Sequence, residues 1–380
     1  MTQIAAISSF SVRQMSTGVI TLIQLVYYYV IYGRFAFHRK KAALGLRDIP
    51  VSVVIVVRDD AAQVLQTLPY LLEQEYSFYE IVIVNDRSRD ENSLHAIKEY
   101  KERYPNIKIV DLSTAVSTSR GKKMAISMGI KCASYDHILL TSPNCKPASR
   151  QWLSLMAQNF QFQHRIVLGY NTFDKKKGPY SHFLHYDNLV NAMQYFSHAL
   201  MRSTYRGDLN NVAFLRQLFY NQKGFISYNH LLYGEEDIFI HRASTKNNTA
   251  IEFSPDAATV RQHTPQYRFW RIHKISLFYT RKFNSLKNRF LLGGFELTNL
   301  LFYILLVVSV ITAIHQPLAL YITLGIALLR IISLYIVTGI SAKKLKETQI
   351  IPYFLFYDIL FSILNPLYWL SAKIHHKKIA

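Results

Sequence analysis

The chain has 380 residues, half of them hydrophobic, with 44 basic against 24 acidic side chains and a formal net charge of +20. That length buries a full core and has room for two domains, while the two cysteines, Cys132 and Cys145, are too few for a disulfide framework or a structural zinc site and suit a reducing compartment. The basic excess fits either nucleic acid or an anionic membrane surface with a phosphorylated substrate; its scatter along the chain and four long apolar runs favour the membrane and argue against nucleic acid.

The first apolar run, residues 17–33, is long enough for one tilted span. No small-residue cleavage site follows it. Arg34, His38, Arg39, Lys40, Lys41 and Arg47 come instead, which predicts that the next domain faces the cytoplasm. Tyr27, Tyr28, Tyr29 and Tyr32 are expected in an interfacial aromatic belt.

From about Ile49 to Asn284 strands and helices alternate. The run VSVVIVV, residues 51–57, reads as a buried strand and is followed by a helical pattern over Ala61–Glu75. A second strand, residues 80–84, precedes a helix over Asn92–Tyr104. A third, Ile107–Asp111, leads to a helix over Met124–Ala133, and a fourth is His137–Thr141. This order predicts a doubly wound, mostly parallel sheet with right-handed crossovers. Ligands of such sheets bind at the carboxyl ends of the strands. There the first strand delivers Arg58, Asp59 and Asp60, and the second delivers Asn85, Asp86, Arg87 and Ser88.

Three apolar runs close the chain, at roughly Leu297–Ile314, Leu318–Thr338 and Ile350–Ser371. His315, Gln316 and Pro317 make a tight hairpin between the first two. Lys343, Lys344 and Lys346 place the next loop on the cytoplasmic side. The last run holds Pro352, Asp358 and Pro366 and precedes a basic tail; it reads either as a span or as a broken interfacial helix. Arg330 and Asp358 sit at similar depth in adjacent runs, so either they form an ion pair that locks the two helices or Arg330 snorkels and Asp358 faces the interface. The domains expected are an anchor over residues 1–46, an α/β domain over 47–288 and a C-terminal membrane domain of two to three helices over 289–380.

Three motifs in order carry a resemblance. The first strand ends in Arg58-Asp59-Asp60. The second motif is Glu80-Ile81-Val82-Ile83-Val84-Asn85-Asp86-Arg87-Ser88-Arg89-Asp90. The third is Gly121-Lys122-Lys123-Met124-Ala125-Ile126-Ser127-Met128-Gly129-Ile130. Together they resemble the membrane-attached members of glycosyltransferase family 2, which have the GT-A fold. The resemblance implies an inverting transfer of a sugar from a nucleotide-diphosphate donor to a lipid-linked or envelope glycan acceptor. It implies an inner-membrane, multi-pass protein with its catalytic domain in the cytoplasm.

By the same resemblance, Asp59 or Asp60 and Asp86 bind the base and ribose of the donor, as carboxylates accepting charge-assisted bonds. Asp60 is alternatively a helix N-cap. Lys122 and Lys123, at a helix start, either contact the diphosphate or form a solvated basic face. Asn211, within Asn210-Asn211-Val212-Ala213-Phe214, and Trp270 are expected on the acceptor side. The run Gly234-Glu235-Glu236-Asp237 matches the acidic motif that carries the general base, with Glu236 or Asp237 favoured and Glu235 allowed.

Two motifs depart from the family. Where it has Asp-x-Asp to hold magnesium or manganese, this chain has Ser142-Pro143-Asn144, with Ser142 and Asn144 neutral ligands at best; either the metal is bound weakly, or Lys146 and other cations neutralise the diphosphate, or the activity is lost. Where it has Gln-x-x-Arg-Trp or paired arginines, this chain has Ile275 and Ser276, and the nearby Arg268, Arg271, His273 and Lys274 either stand in for phosphate contacts or form a membrane-facing basic amphipathic helix. The alternative these losses support is a catalytically inactive subunit, a partner or scaffold in envelope glycan assembly.

Overall fold

The computed structural model describes residues 2–40, 49–113, 122–160, 163–176, 178–235 and 237–374. Lys41, Arg47, Gly121, Glu236 and the basic tail from His375 onward lie outside the described residues.

Helix α1 (Thr2–Val26) runs through one wider turn, Tyr27–Tyr32, into α2 (Gly33–Ala36). Strand β1 (Val51–Val57) leads through α3 (Ala61–Leu72) to β2 (Tyr79–Asn85). Helix α4 (Glu91–Arg103) crosses to β3 (Ile107–Asp111), and α5 (Lys123–Cys132) to β4 (His137–Thr141). Short strands follow: β5 (Cys145–Pro147), β6 (Ile166–Leu168), β7 (Asn171–Phe173), β8 (Val212–Leu215), β9 (Thr249–Ile251) and β10 (Thr259–Arg261). Among and after them come α6 (Trp152–Ala157), α7 (Pro179–Leu200), α8 (Arg216–Asn221), α9 (Ile238–Ala243) and α10 (Tyr267–Thr280).

The main sheet runs β3-β2-β1-β4-β8-β6-β9. Strands β3, β2, β1 and β4 are parallel, with Val51 beside Tyr79 on one side and His137 on the other. Every residue of β1 is buried, as a Val/Ile-rich strand between two helical layers requires, and the buried Ser52 donates to Glu80 Oε1 at 2.6 Å. The doubly wound half therefore forms as expected. Beyond β4 the sheet turns mixed, because β8 pairs antiparallel with both β4 and β6. A second sheet, β5-β10-β7, lies next to the end of β4.

Gly129 shows why the third motif needs a glycine inside a helix. A Cβ there would lie 2.5 Å from Val54 Cγ1 and 2.9 Å from Val84 Cγ2. Helix α5 thus sits directly on β1 and β2, holding its N-terminus at their carboxyl edge.

Among the described residues four helices are long and apolar enough to cross a membrane: Gln14–Ala36, Leu286–Ala313, Pro317–Lys344 and Thr348–Ile374. The last three contain α11 (Leu286–Ala313), α12 (Pro317–Lys344) and α13 (Phe354–Ile374). The ion pair forms, with Arg330 Nη1 2.6 Å from Asp358 Oδ2. Arg330 Nη2 also donates to Asn299 Oδ1 at 2.5 Å, and the Tyr303 hydroxyl donates to Asp358 Oδ2 at 2.5 Å. One buried polar cluster therefore joins α11, α12 and α13.

The aromatic belt is a correction. Tyr27, Tyr28 and Tyr32 are buried within the protein, with Tyr32 meeting Phe295 edge-on at 4.9 Å, and only Tyr29 is exposed. They are packing residues because α7 and α11 cover that face. The membrane helices and the sheet domain also share contacts. Glu347, between α12 and α13, accepts from Tyr170 at 2.8 Å, from the Thr172 hydroxyl and from His185 Nδ1 at 2.7 Å.

Candidate functional site

The parallel strands end on one edge, and that edge is polar. Asp59 (φ 57°) and Arg87 (φ 60°) hold left-handed backbone conformations that cost a non-glycine residue energy. Such outliers cluster at functional sites. Asp86 is buried, with Arg58 Nη2 2.5 Å from Oδ2 and Arg87 Nη2 2.9 Å from Oδ1. Asp59 Oδ1 accepts the Arg89 N–H at 3.0 Å. Asp60 begins α3, but its carboxylate does not cap the helix; Oδ1 turns back to the Arg58 N–H at 2.7 Å. Burial pushes the Asp60 carboxyl up, and Lys122 opposes the shift. Asp59, Asp60, Asp86 and Lys122 thus gather at the strand ends.

Lys123 faces the other way. It is fully buried, and its Nζ donates to Leu231 O at 2.6 Å and lies 3.6 Å from Glu235 Oε1. Burial pushes the ammonium down and the Glu235 carboxyl up, and each charge opposes the other's shift. Lys123 therefore ties α5 to the acidic loop and has no surface to offer a diphosphate. Asp237 has different partners. Its Oδ2 accepts from the Thr280 hydroxyl at 2.5 Å, and Oδ1 is 3.4 Å from Arg206 Nε. Burial pushes the Asp237 carboxyl up, with Arg206 the chief opposing charge.

A divalent cation is implied by the family but poorly served by the donors here. The Ser142 hydroxyl donates to Asn210 Oδ1 at 2.5 Å, and Asn144 Oδ1 takes the Cys145 thiol at 3.4 Å. Both are neutral and already engaged, whereas magnesium and manganese favour carboxylates. Among the described residues no three His, Cys, Asp or Glu side chains form a metal-binding group. These residues do not fit the ion.

Cations occupy the region instead. Arg261 pairs with Cys145 across the second sheet; burial pushes the Cys145 thiol up to about 11, with Arg261 and Lys122 opposing the shift and Asp208 adding to it. Gln262 N–H donates to Asn144 O at 2.9 Å. Arg261 Nε and Gln262 Oε1 are buried without a hydrogen-bond partner among the described residues. Buried polar atoms are nearly always paired, so this donor and acceptor mark a place for a ligand. Burial, reinforced by Arg206, Arg261 and Lys274, pushes His273 down to about 3. It is neutral at physiological pH and does not supply the cation expected of it.

Sequence reasoning missed Arg206, Asp208, Arg261 and Gln262. Asp208 lies two residues before Asn210 and accepts its Nδ2 at 2.6 Å. The polar run Arg206-Gly207-Asp208 was the available signal; Arg261 ends a three-residue strand and Gln262 follows it, and so short a strand carries none.

The acceptor-side residues turn inward. Asn211 is fully buried, donating to Tyr170 O and Ala257 O at 2.8 Å each and accepting from Trp152 Nε1 at 3.0 Å. Gly169 makes the room, since a Cβ there would lie 2.5 Å from Asn211 Cγ. Trp270 Nε1 donates to Asp187 Oδ2 at 2.9 Å, and Lys274 Nζ is 2.5 Å from Oδ1 of the same carboxylate. Both fasten α10 onto α7.

Residues 52–229 match the family described as Glycosyl transferase family 2. Over 89 residues, 23% of this chain, the sequence is 36% identical to a poly-beta-1,6-N-acetyl-D-glucosamine synthase of Staphylococcus epidermidis. That match covers 20% of the relative, so the chain spans about a fifth of the length of the curated relatives it matches. The fold is similar to that of the mannosyltransferase PcManGT from Pyrobaculum calidifontis, solved in complex with GDP-Man and Mn2+. The TM-score is 0.58 at 17% identity, covering 94% of this chain and 98% of that one. At that identity the likeness is one of fold.

Proposed function

Because the chain belongs to glycosyltransferase family 2 through residues 52–229 and has the GT-A fold, we propose that it transfers a sugar from a nucleotide-diphosphate donor to a lipid-linked or envelope glycan acceptor. Transfer takes place at the cytoplasmic face of the inner membrane. The observation that carries this reading is the pairing of two walls. Asp59, Asp60, Asp86 and Lys122 line the carboxyl edge of the parallel strands, Arg261 lies opposite Cys145 just past the end of β4, and Arg206 lies 3.4 Å from Asp237.

Asp59 or Asp60 and Asp86 hold the base and ribose. For Asp86 this requires Arg58 or Arg87 to release an oxygen. Lys122, Arg206 and Arg261 balance the diphosphate, the task that a divalent ion performs where carboxylates are present. Asp237 is the base: its carboxyl is pushed up by burial, toward the range in which proton transfer is efficient. It takes the acceptor hydroxyl proton as that oxygen attacks the anomeric carbon and the nucleoside diphosphate leaves from the opposite face. Glu235 is held by Lys123 and shapes the loop.

The test is transfer by membranes containing the full chain, supplied with UDP- and GDP-sugars. Incorporation into membrane lipid or glycan, lost in Asp237→Asn while donor binding persists, supports this reading. Donor binding without turnover from any nucleotide-sugar would favour the inactive partner subunit, the reading to which the missing carboxylates at Ser142 and Asn144 lend weight.

A further inference from the structure

Glu347 is buried in the loop between α12 and α13, and four donors converge on its carboxylate. Oε1 takes the Tyr170 hydroxyl at 2.8 Å and the Thr172 hydroxyl, and Oε2 takes His185 Nδ1 and Gln349 Nε2 at 2.7 Å each. The four acceptor directions of a carboxylate are thus all used. The loop is shaped to deliver it. Lys346, one residue earlier, holds a left-handed φ of 55°, and the Glu347 N–H closes the end of α12 on Ala342 O at 2.8 Å.

Two of these donors lead to Arg261. Thr172 lies in β7, which runs parallel to β10 with Thr172 beside Val260 and Phe173 beside Arg261. The Arg261 guanidinium sits over the Phe173 ring, with Cζ 5.2 Å from its centroid. The His185 ring meets the same phenyl ring edge-on at 5.9 Å. Glu347 therefore holds both the residue before Phe173 and the ring packed against it. Arg261 Nε has no hydrogen-bond partner among the described residues, so strand pairing and the Phe173 ring are what orient the guanidinium. A tie between membrane helices and sheet domain needs one bond to any facing element. Glu347 makes three bonds to the sheet domain, and two of them bear on Phe173.

We propose that Glu347 is a positioning residue for the donor site: through Thr172, His185 and Phe173 it sets the Arg261 guanidinium where the diphosphate of a nucleotide meets it. The loop between two membrane helices thereby governs donor affinity without touching the donor. The role of Arg261 in binding rests on the function proposed above; the hold of Glu347 on Arg261 does not.

The experiment is a double-mutant cycle on the full chain, read by calorimetric binding of UDP and GDP in EDTA. Glu347→Ala is expected to raise the Kd by about fivefold or more, because a displaced guanidinium loses most of a charge-assisted contact. In an Arg261→Ala background the same substitution is expected to change the Kd by less than about twofold, since residues acting through one contact are not additive. Phe173→Leu leaves every bond to Glu347 in place and is expected to behave likewise; it carries the cycle if Glu347→Ala does not fold. A Kd unchanged in Glu347→Ala or in Phe173→Leu would overturn the proposal. So would a Kd raised equally with and without Arg261, which is the result of a purely structural tie. Amide exchange separates these outcomes from a failure of the donor reading. If the wild-type chain binds neither nucleotide, the donor reading fails. Exchange quickened over residues 259–262 by Glu347→Ala then still supports the hold on Arg261, and unchanged exchange there overturns it.

Discussion

Asp237 is held from two sides, by the Thr280 hydroxyl and by Arg206, and its burial keeps it readier to accept a proton than an exposed aspartate. Asp237→Asn preserves its shape and removes its basicity. Transfer is expected to fall by about 10²- to 10⁴-fold with little change in donor affinity, measured as separate kcat and binding terms. The sign of the pH dependence follows. A base works deprotonated, and this carboxyl is shifted upward, so kcat/KM rises with pH along a limb displaced above the ordinary aspartate range. A limb at the usual aspartate position would assign the base elsewhere. Glu235 and Asp237 were legible as an acidic run but not as individuals. What separates them is Lys123 on one side and Arg206 on the other, both distant in sequence. Lys123 itself was misread for the same reason: a lysine at a helix start looks like an anion contact until its buried partner is seen.

At the scale of elements, strands β1 to β4 were legible because each is one apolar run bounded by polar residues and followed by a helical period. Strands β5, β6, β7, β9 and β10 are three residues each, too short for a period of two to register. They place Asn144, Cys145 and Arg261 together, so most of the cationic wall was invisible in the sequence. Gly129→Val tests the close seat of α5. Overpacking against Val54 and Val84 is expected to cost about 1–3 kcal/mol and to weaken nucleotide binding, since α5 positions Lys122. In the membrane helices, the Arg330–Asp358 pair was legible from depth as one of two readings. Asp358→Ala leaves a buried guanidinium without its carboxylate and is expected to cost about 3–5 kcal/mol, read as a lower melting temperature in detergent. Unchanged melting would show that Tyr303 and Asn299 suffice.

The whole molecule couples its sheet domain to its membrane helices through Glu347, which three side chains of the sheet domain hold in the loop between α12 and α13. That loop therefore lies on the side of the sheet domain, and the hairpin at His315–Pro317 lies at the other end of α11 and α12. With the domain in the cytoplasm, a cysteine introduced as Gln316→Cys, in a Cys132→Ser background, is labelled by an impermeant maleimide from outside intact cells. Labelling only after lysis would reverse the orientation.

The central claim is that this domain, which matches Glycosyl transferase family 2 over residues 52–229, binds a nucleotide-sugar donor with side-chain cations in place of a metal clamp. The most direct measurement is calorimetric binding of UDP and GDP to the full chain, once in EDTA and once with manganese. The account predicts binding of at least one nucleotide with the same Kd in both, weakened about tenfold or more in Arg261→Ala by loss of a charge-assisted contact. Binding that appears only with manganese, or that survives Arg261→Ala unchanged, would contradict it.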